Sequence, residues 1–374
     1  RQGRSSRTPS VRIGLTALLM VFGLTACSNE SGRVLLVGID GATFRIAEPM
    51  LAEGRLPNLA ALARDGASGP LRSEVPIRSP RIWNTIVTGK SPKKHGITDF
   101  AREVAGRKRL FLSTDRTTHT LWNIASTAGL RVGVVNLWNT YPPERVNGVM
   151  VSDHLLAKQV EGRRVLSQAE AVPEGAVIYP ETWHERLRPV IEDDAPLTSV
   201  ANPFLDLTGF PASVRLGGKT LSRRFEEDAL MTRIALAIEA AESPDVALVL
   251  LTGIDRVSHS LWAAVEDDYP YPKELTPSPA ERKIAAEALR TYYAYTDALL
   301  GRLLAHYGPD DLVIVLSDHG FEAGSGFGLL TGVHKSRNAL DGVLFARGPG
   351  IEAGTTAEGV GVRDVTPTIL AWLG

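Results

Sequence analysis

The 374-residue sequence predicts an α/β fold, with a mostly parallel central sheet flanked by helices on both faces. Short β-branched apolar runs alternate with longer amphipathic stretches along most of the chain, which is the order of strands joined by crossover helices. The runs themselves, among them VLLVGI, VALVLL and LVIVL, are apolar almost without a break, as strands buried on both faces are. No internal repeat interrupts this order.

The chain opens with Arg1, Arg4, Arg7 and Arg12 and no acid, then IGLTALLMVFGLTA, then Cys27. A basic start followed by an apolar run of this kind has the form of a secretory signal, and the run is shorter than the roughly 20 apolar residues a spanning helix needs. Residues 1–26 are therefore expected to be an export segment, and residues 27–374 the mature domain. Cys27 is the only cysteine, which excludes an internal disulfide. Removing residues 1–26 takes four arginines away, leaving 37 basic against 42 acidic residues. A net negative chain is not expected to bind a nucleic-acid duplex through bulk charge. The sequence lacks an initial Met and stops within the apolar run DVTPTILAWLG, so both ends are expected to be incomplete.

Next come a strand in RVLLVGID at 33–40, a helix in PNLAALARDG at 57–66 and a strand in LRVGVVNL at 130–137. Residues 156–222 break the rhythm, being rich in Pro, Glu and Arg with weak periodicity, and read as an insertion or cap. The rhythm resumes with a helix in DALMTRIALAIEAAE at 228–242 and a strand in DVALVLLTGID at 245–255. A polar, Pro-rich loop follows at about 264–283, then a helix in TYYAYTDALLGRLLAHYG and a strand in DLVIVLSDHG at 311–320. Walling a pocket and running over the surface both remain open for the two interruptions.

Three of the buried strands deliver an acid at their carboxyl ends: Asp40, Asp255 and Asp318. In open parallel sheets ligands bind beyond that edge, so the three should converge. Carboxylates gathered in one place repel unless cations or protons hold them together. Histidines accompany them: His259 four residues after Asp255, His319 directly after Asp318, and His334 in a Gly-Val-His. Mixed Asp and His sets suit zinc or a similar first-row ion. His95, His119, His154, His184 and His306 have no such partner set and are assigned structural roles. Trp83, Trp122 and Trp138 fall in apolar stretches and are expected in the core, with Trp262 placed to line a pocket.

Together GIDG at 38–41, the block from Ser79 to Thr88-Gly89 with PKKHGI behind it, DRVSH at 255–259, SDHG at 317–320, GVH at 332–334 and RDVTPTIL resemble the alkaline phosphatase superfamily. The likeness is greatest to its type I phosphodiesterase and nucleotide pyrophosphatase branch, and it runs in order from about residue 33 onward. The resemblance implies an alkaline-phosphatase-like fold with a cap insertion and a metal-dependent phosphoric ester hydrolase. Two divalent ions, expected to be zinc, would serve a small phosphate-ester substrate, a diester by preference. One ion would lie on Asp40, Asp318 and His319 with Ser79, the other on Asp255, His259 and His334. Ser79 would be the nucleophile and form a phosphoseryl intermediate, so that two displacements give net retention at phosphorus.

Locally, Ser79-Pro80 also reads as a helix start, with Ser as N-cap and Pro at the first helical position. A helix N-terminus welcomes phosphoryl oxygens, so capping and catalysis are compatible. One position departs from the branch pattern: where it places a phosphoryl-holding Asn, this chain has Phe100, preceded by Asp99. Lys90, Arg78, Arg81 and Asn84 are the candidate substitutes for substrate binding. At the front, Leu24-Thr25-Ala26-Cys27 resembles the bacterial lipoprotein box, which implies lipidation of Cys27, a membrane anchor and a place in the bacterial cell envelope. Ser28 is the kind of following residue associated with the outer membrane. Sulfatases share the fold, but here Pro80 and Arg81 come one position too early for their maturation motif. A phosphotransferase of the same superfamily would pass the phosphoryl group to an alcohol instead of water, and a surface-binding lipoprotein would keep the fold without the chemistry.

Overall fold

In the computed structural model, which describes residues 32–159, 177–325 and 329–374, the chain begins with β1 (Val34–Ile39), α1 (Phe44–Ala52), α2 (Pro57–Asp65), β2 (Ala67–Arg72), α3 (Ser79–Thr88) and α4 (Pro92–His95). A hairpin of β3 (Ala101–Val104) and β4 (Arg107–Leu110) leads to α5 (Leu121–Thr127), β5 (Val132–Val135), β6 (Gly148–Val151), α6 (His154–Gln159), β7 (Ile178–Tyr179), α7 (Trp183–Glu192) and the long α8 (Ala212–Glu242). The second half holds β8 (Val246–Leu251), α9 (Gly253–Leu261), α10 (Pro279–Leu304) and β9 (Leu312–Leu316). A short pair, β10 (Glu322–Ala323) and β11 (Gly332–Val333), precedes β12 (Asp341–Arg347), β13 (Thr355–Thr356) and α11 (Val365–Leu373).

Nine strands form the central sheet in the order β13-β2-β12-β9-β1-β8-β5-β6-β7. The five from β9 to β6 are mutually parallel. β12 pairs antiparallel with both β9 and β2, and β7 antiparallel with β6. The period of two along each strand divides its side chains between two cores. Leu35, Val37 and Ile39 of β1 join Val249 and Leu251 of β8 on one face, packed by Met50, Leu59, Met231, Val257 and Leu289 from α1, α2, α8, α9 and α10. On the other face Val34, Leu36, Leu248 and Ile314 meet Ile82, Trp83 and Ile86 of α3, Trp122 of α5 and Ile369 of α11. Each fully buried Leu or Ile stabilises the fold by roughly 1.5–3 kcal/mol relative to exposure, so the uninterrupted apolar runs require helices on both sides.

Helix starts follow local chemistry. Ser278 accepts the Glu281 N–H while Glu281 reaches back to the Ser278 N–H, and Pro279 fills the first helical position of α10. Thr43 caps α1 by accepting the Arg45 N–H at 3.3 Å.

The segment 156–222, expected as an insertion or cap, is more closely built in than its composition indicates. Its residues 160–176 lie outside the described residues. The rest supplies β7 to the sheet edge and packs Ile178, Trp183, Leu187, Phe204, Phe210, Val214 and Leu221 into the same core as β1 and β8. Its final stretch, from Ala212 onward, is already α8, because Leu221 and Phe225 continue the buried face of that helix N-terminally. The loop at about 264–283 is tied to the His334-bearing segment, with the Tyr271 hydroxyl donating to the Thr331 carbonyl at 2.7 Å. The expected export segment, Cys27 and Ser28 lie outside the described residues. Among the described residues no helix is long and apolar enough to cross a membrane.

Candidate metal centre

β9, β1 and β8 are neighbours in the sheet, and each stops where an acid is needed. Asp40 follows Ile39 directly; Asp318 lies two residues beyond Leu316; Asp255 is the third residue of α9, which starts two residues after Leu251. All three are buried. Close approach is made possible by Gly41, whose φ of +74° favours glycine and where a Cβ would fall 2.6 Å from the Phe321 ring and 3.0 Å from Asp255 Cα.

His319 Nε2 lies 3.4 Å from Asp40 Oδ1, 3.5 Å from Asp318 Oδ2 and 4.0 Å from Asp255 Oδ1. Asp255 Oδ1 in turn faces His259 Nε2 at 3.4 Å and His334 Nε2 at 3.6 Å. Neither Asp255 Oδ1 nor Asp318 Oδ2 accepts a hydrogen bond, although both are buried. Leaving a buried carboxylate oxygen unpaired is costly. The spacing explains it: donors about 2.0–2.2 Å from one tetrahedral ion stand roughly 3.3–3.5 Å apart, long for a hydrogen bond and right for ligands of a shared cation. Asp40, Asp318 and His319 form one group that could hold an ion, and Asp255, His319 and His334 a second. His319 thus stands between the two halves, its ring stacked on His334 at 3.9 Å, while His259 reaches the second half through Asp255 Oδ1.

Two of the three imidazoles are aimed from behind. His259 Nδ1 pairs with the Gly332 carbonyl at 2.7 Å and His319 Nδ1 with the Gly320 carbonyl at 2.9 Å. A carbonyl there accepts the Nδ1 proton and turns the Nε2 lone pair toward the centre. Electrostatics show the same demand for cations. Burial, with the neighbouring Asp40 and Asp255 charges, pushes the Asp318 carboxyl well above its ordinary range. Burial would lower His319, but Asp318, Asp40 and Asp255 outweigh it and raise the imidazole to about 10. Burial also works to raise Asp255; the charges of His259, Arg256 and His334 override it and hold that carboxyl low. Burial beside His319 lowers His334 to about 2. Oxygen and imidazole donors of this kind fit zinc or a neighbouring first-row ion.

Ser79 comes from the opposite helical layer, at the start of α3. It does not cap the helix: Arg78 occupies the N-cap, Ser79 is the first helical residue, and no side-chain cap bond is made. Its Oγ lies 3.4 Å from both Asp40 Oδ1 and His319 Nε2, within the first group of donors. The reading of Ser79 as N-cap is therefore corrected by one position, and the hydroxyl is left for the centre.

The proposed substrate-binding residues are scattered. Asn84 is fully buried and committed: its amide donates to the Pro80 carbonyl and to Asn139 Oδ1, and its oxygen accepts from Arg116. Lys90 is exposed beyond Gly89 at the far end of α3, roughly 15 Å along the axis from Ser79 at 1.5 Å per residue. Neither faces the centre. Arg81 donates to the Glu74 and Pro76 carbonyls. Phe100 cannot donate, but it packs edge-on against Trp138 with ring centroids 5.5 Å apart. Arg78 pairs with Asp99 at 3.6 Å beside Ser79.

Trp138 and Trp83, expected as core, have a further role that the sequence reading missed. Both indole N–H groups donate to Asp40 Oδ2, at 3.2 and 3.1 Å, leaving Oδ1 to face Ser79 and His319. The available signal was that a buried indole needs an acceptor, and that Trp83 lies one helical turn from Ser79. Arg256 was also missed: its Nε is 3.8 Å from Asp255 Oδ2 and its guanidinium lies 6.0 Å from the Trp138 ring centroid. Trp262, expected to line a pocket, is wholly buried against Phe321.

A family profile described as type I phosphodiesterase / nucleotide pyrophosphatase matches residues 34–349, nearly the whole described chain. The chain belongs to this family of phosphoric ester hydrolases. Its fold is that of the alkaline phosphatase superfamily, and the family typically works with two metal ions. Human ectonucleotide pyrophosphatase / phosphodiesterase 5 superimposes with a TM-score of 0.53 at 12% identity, over 91% of this chain and 94% of that one. Phosphonoacetate hydrolase from Sinorhizobium meliloti 1021, in complex with phosphonoformate, gives a TM-score of 0.44 at 17% identity over 79% of this chain. The chain spans 59% of the length of that hydrolase. No curated protein matches the sequence.

Proposed function

We propose that this chain is a two-metal phosphodiesterase that works through a covalent phosphoseryl intermediate on Ser79. The observation that carries the reading is the equal 3.4 Å separation of Ser79 Oγ from Asp40 Oδ1 and His319 Nε2, with the hydroxyl unused as a cap. Asp40, Asp318 and His319 would hold one divalent ion beside Ser79, and Asp255, His259 and His334 the other. When bound, such ions neutralise charge on the phosphoryl oxygens and lower the pKa of a neighbouring hydroxyl or water.

Ser79 Oγ gives up its proton to solvent and attacks phosphorus opposite the leaving oxygen. The Oγ–P bond forms, the ester P–O bond breaks, and the departing alkoxide takes a proton from water. Water then attacks the phosphoseryl group, releasing the phosphorylated product and restoring Ser79. The N-terminus of α3, where Ser79 is the first helical residue, would favour anionic oxygens beside the Ser79 hydroxyl. Arg256, beside both Asp255 and Trp138, one of the two indoles that bind Asp40, would supply a donor for a phosphoryl oxygen in the role that Phe100 cannot fill.

The test measures turnover of chromogenic phosphate diester, phosphate monoester and sulfate ester by zinc-loaded protein. The diester should be preferred, Ser79→Ala should be inactive while still binding zinc, and Arg256→Met should lose roughly a hundredfold in kcat/KM. Equal turnover by wild type and Ser79→Ala would remove the covalent route; preference for the sulfate ester would overturn the substrate class. Export and lipid anchoring are proposed from the basic start, the apolar run and Leu24-Thr25-Ala26-Cys27. Labelled fatty acid should enter the full chain in bacterial cells and should not enter Cys27→Ala; equal labelling of the two would remove the anchor.

A further inference from the structure

Beneath the Asp255 half of the centre lies an acid that the proposed chemistry leaves unused. Asp228, on α8, is 2% exposed and has no cationic partner within ion-pair distance among the described residues. Its carboxylate accepts three hydrogen bonds: from the Thr252 N–H to Oδ1 at 3.1 Å, from the Gly253 N–H to Oδ2 at 3.2 Å, and from the Tyr292 hydroxyl to Oδ2 at 2.9 Å. Thr252 is the N-cap of α9 and makes no side-chain cap bond of its own. A carboxylate supplied by another helix therefore satisfies the first N–H groups of α9 and sits at the positive end of its dipole. Space is kept for it by Gly253, where a Cβ would fall 1.8 Å from the Tyr292 hydroxyl and 2.5 Å from Asp228 Oδ2.

The helix so anchored is the one that carries Asp255 in its first turn and His259 one turn later. Metal sites tolerate ligand displacements of only about 0.2 Å. The angle at which α9 leaves β8 thus decides whether both donors meet one ion. We infer that Asp228 is a positioning residue for the Asp255–His259 half of the centre, holding the start of α9 so that both side chains converge. The inference rests on the two-metal reading above.

Asparagine at position 228 offers one acceptor oxygen to three donors and turns its own NH2 toward one of them. Zinc titration of the chelator-stripped full domain, read by competition with a chromophoric chelator, tests the role. Asp228→Asn should weaken one of two zinc equivalents by roughly 10- to 100-fold and leave the other unchanged, with turnover restored at saturating zinc. Tyr292→Phe removes one of the three bonds and should weaken the same equivalent about fivefold, which keeps the test available if Asp228→Asn does not fold. Wild-type affinity at both equivalents in either folded variant would overturn the assignment, as would equal weakening of both. Uptake of fewer than two equivalents by wild type would instead overturn the two-metal reading itself.

Discussion

Asp40 illustrates how one side chain is divided between support and chemistry. Two indoles take Oδ2, and Oδ1 is left to Ser79 and His319. A hydrogen bond to a charged group is worth about 1.5–3 kcal/mol, so Trp138→Phe, which keeps the ring and removes the N–H, should lower kcat/KM by roughly tenfold, since each 1.4 kcal/mol is a factor of ten. Trp83→Phe should cost at least as much because Trp83 is wholly buried. Steady-state kinetics on the diester decide it: unchanged kcat/KM in both variants would mean that the indoles only pack. His95 has no such role. It is buried with Nδ1 accepting the Ile97 N–H and Nε2 beside the Thr85 hydroxyl, and burial together with Arg116 keeps it neutral down to about pH 4.

At the scale of elements, the centre exists because two layers of helices meet the carboxyl edge of three adjacent strands. α3 brings Ser79 from one face and α9 brings Asp255 and His259 from the other. The turn after β1 must pass between them, and only a residue without Cβ fits at Gly41. Gly41→Ala should therefore strain a φ of +74° by about 1–2 kcal/mol and push Phe321 and Asp255 apart. The expected result is loss of zinc binding out of proportion to the loss of thermal stability; full zinc uptake at wild-type affinity would contradict it. Much of this was legible in the sequence. The apolar strands, the acids at their ends and the spacing of Asp255 and His259 are local features, fixed by backbone period. What was not legible depends on direction in space. Lys90 is close to Ser79 in sequence, but α3 carries it away; Asn84 looks like a free amide, but Arg116 and Asn139 arrive from distant segments to occupy it. Asp228 gave no signal at all, since a single acid in a helix is ordinarily solvated. The polar composition of 156–222 hid the apolar residues that join the core, because they are spaced too irregularly to form a period.

Across the whole molecule, the cores on both faces of the sheet stabilise a fold whose functional edge works against it. Three buried acids stand at adjacent strand ends, and burial with mutual repulsion drives Asp318 toward its neutral form. Ions that bind the folded chain and not the unfolded one offset this, by about 4 kcal/mol when present at a thousand times their dissociation constant. Chelation should then lower the melting temperature by several degrees, and added zinc should restore it. The effect should also depend on pH with a definite sign. His319 has its folded-state pKa raised from 6.5 to about 10, so in chelated protein its contribution is fully present below pH 6.5 and is lost as pH rises toward 10. The raised Asp318 acts in the same direction, since its protonated form is the one that folding favours. Metal-loaded protein needs both groups deprotonated and has the opposite preference. The gap between the two melting temperatures should therefore widen steadily from pH 6.5 to 10. Melting curves recorded with zinc and with chelator at several pH values would show it, and a gap that stays constant or narrows would mean that these side chains do not share a cation.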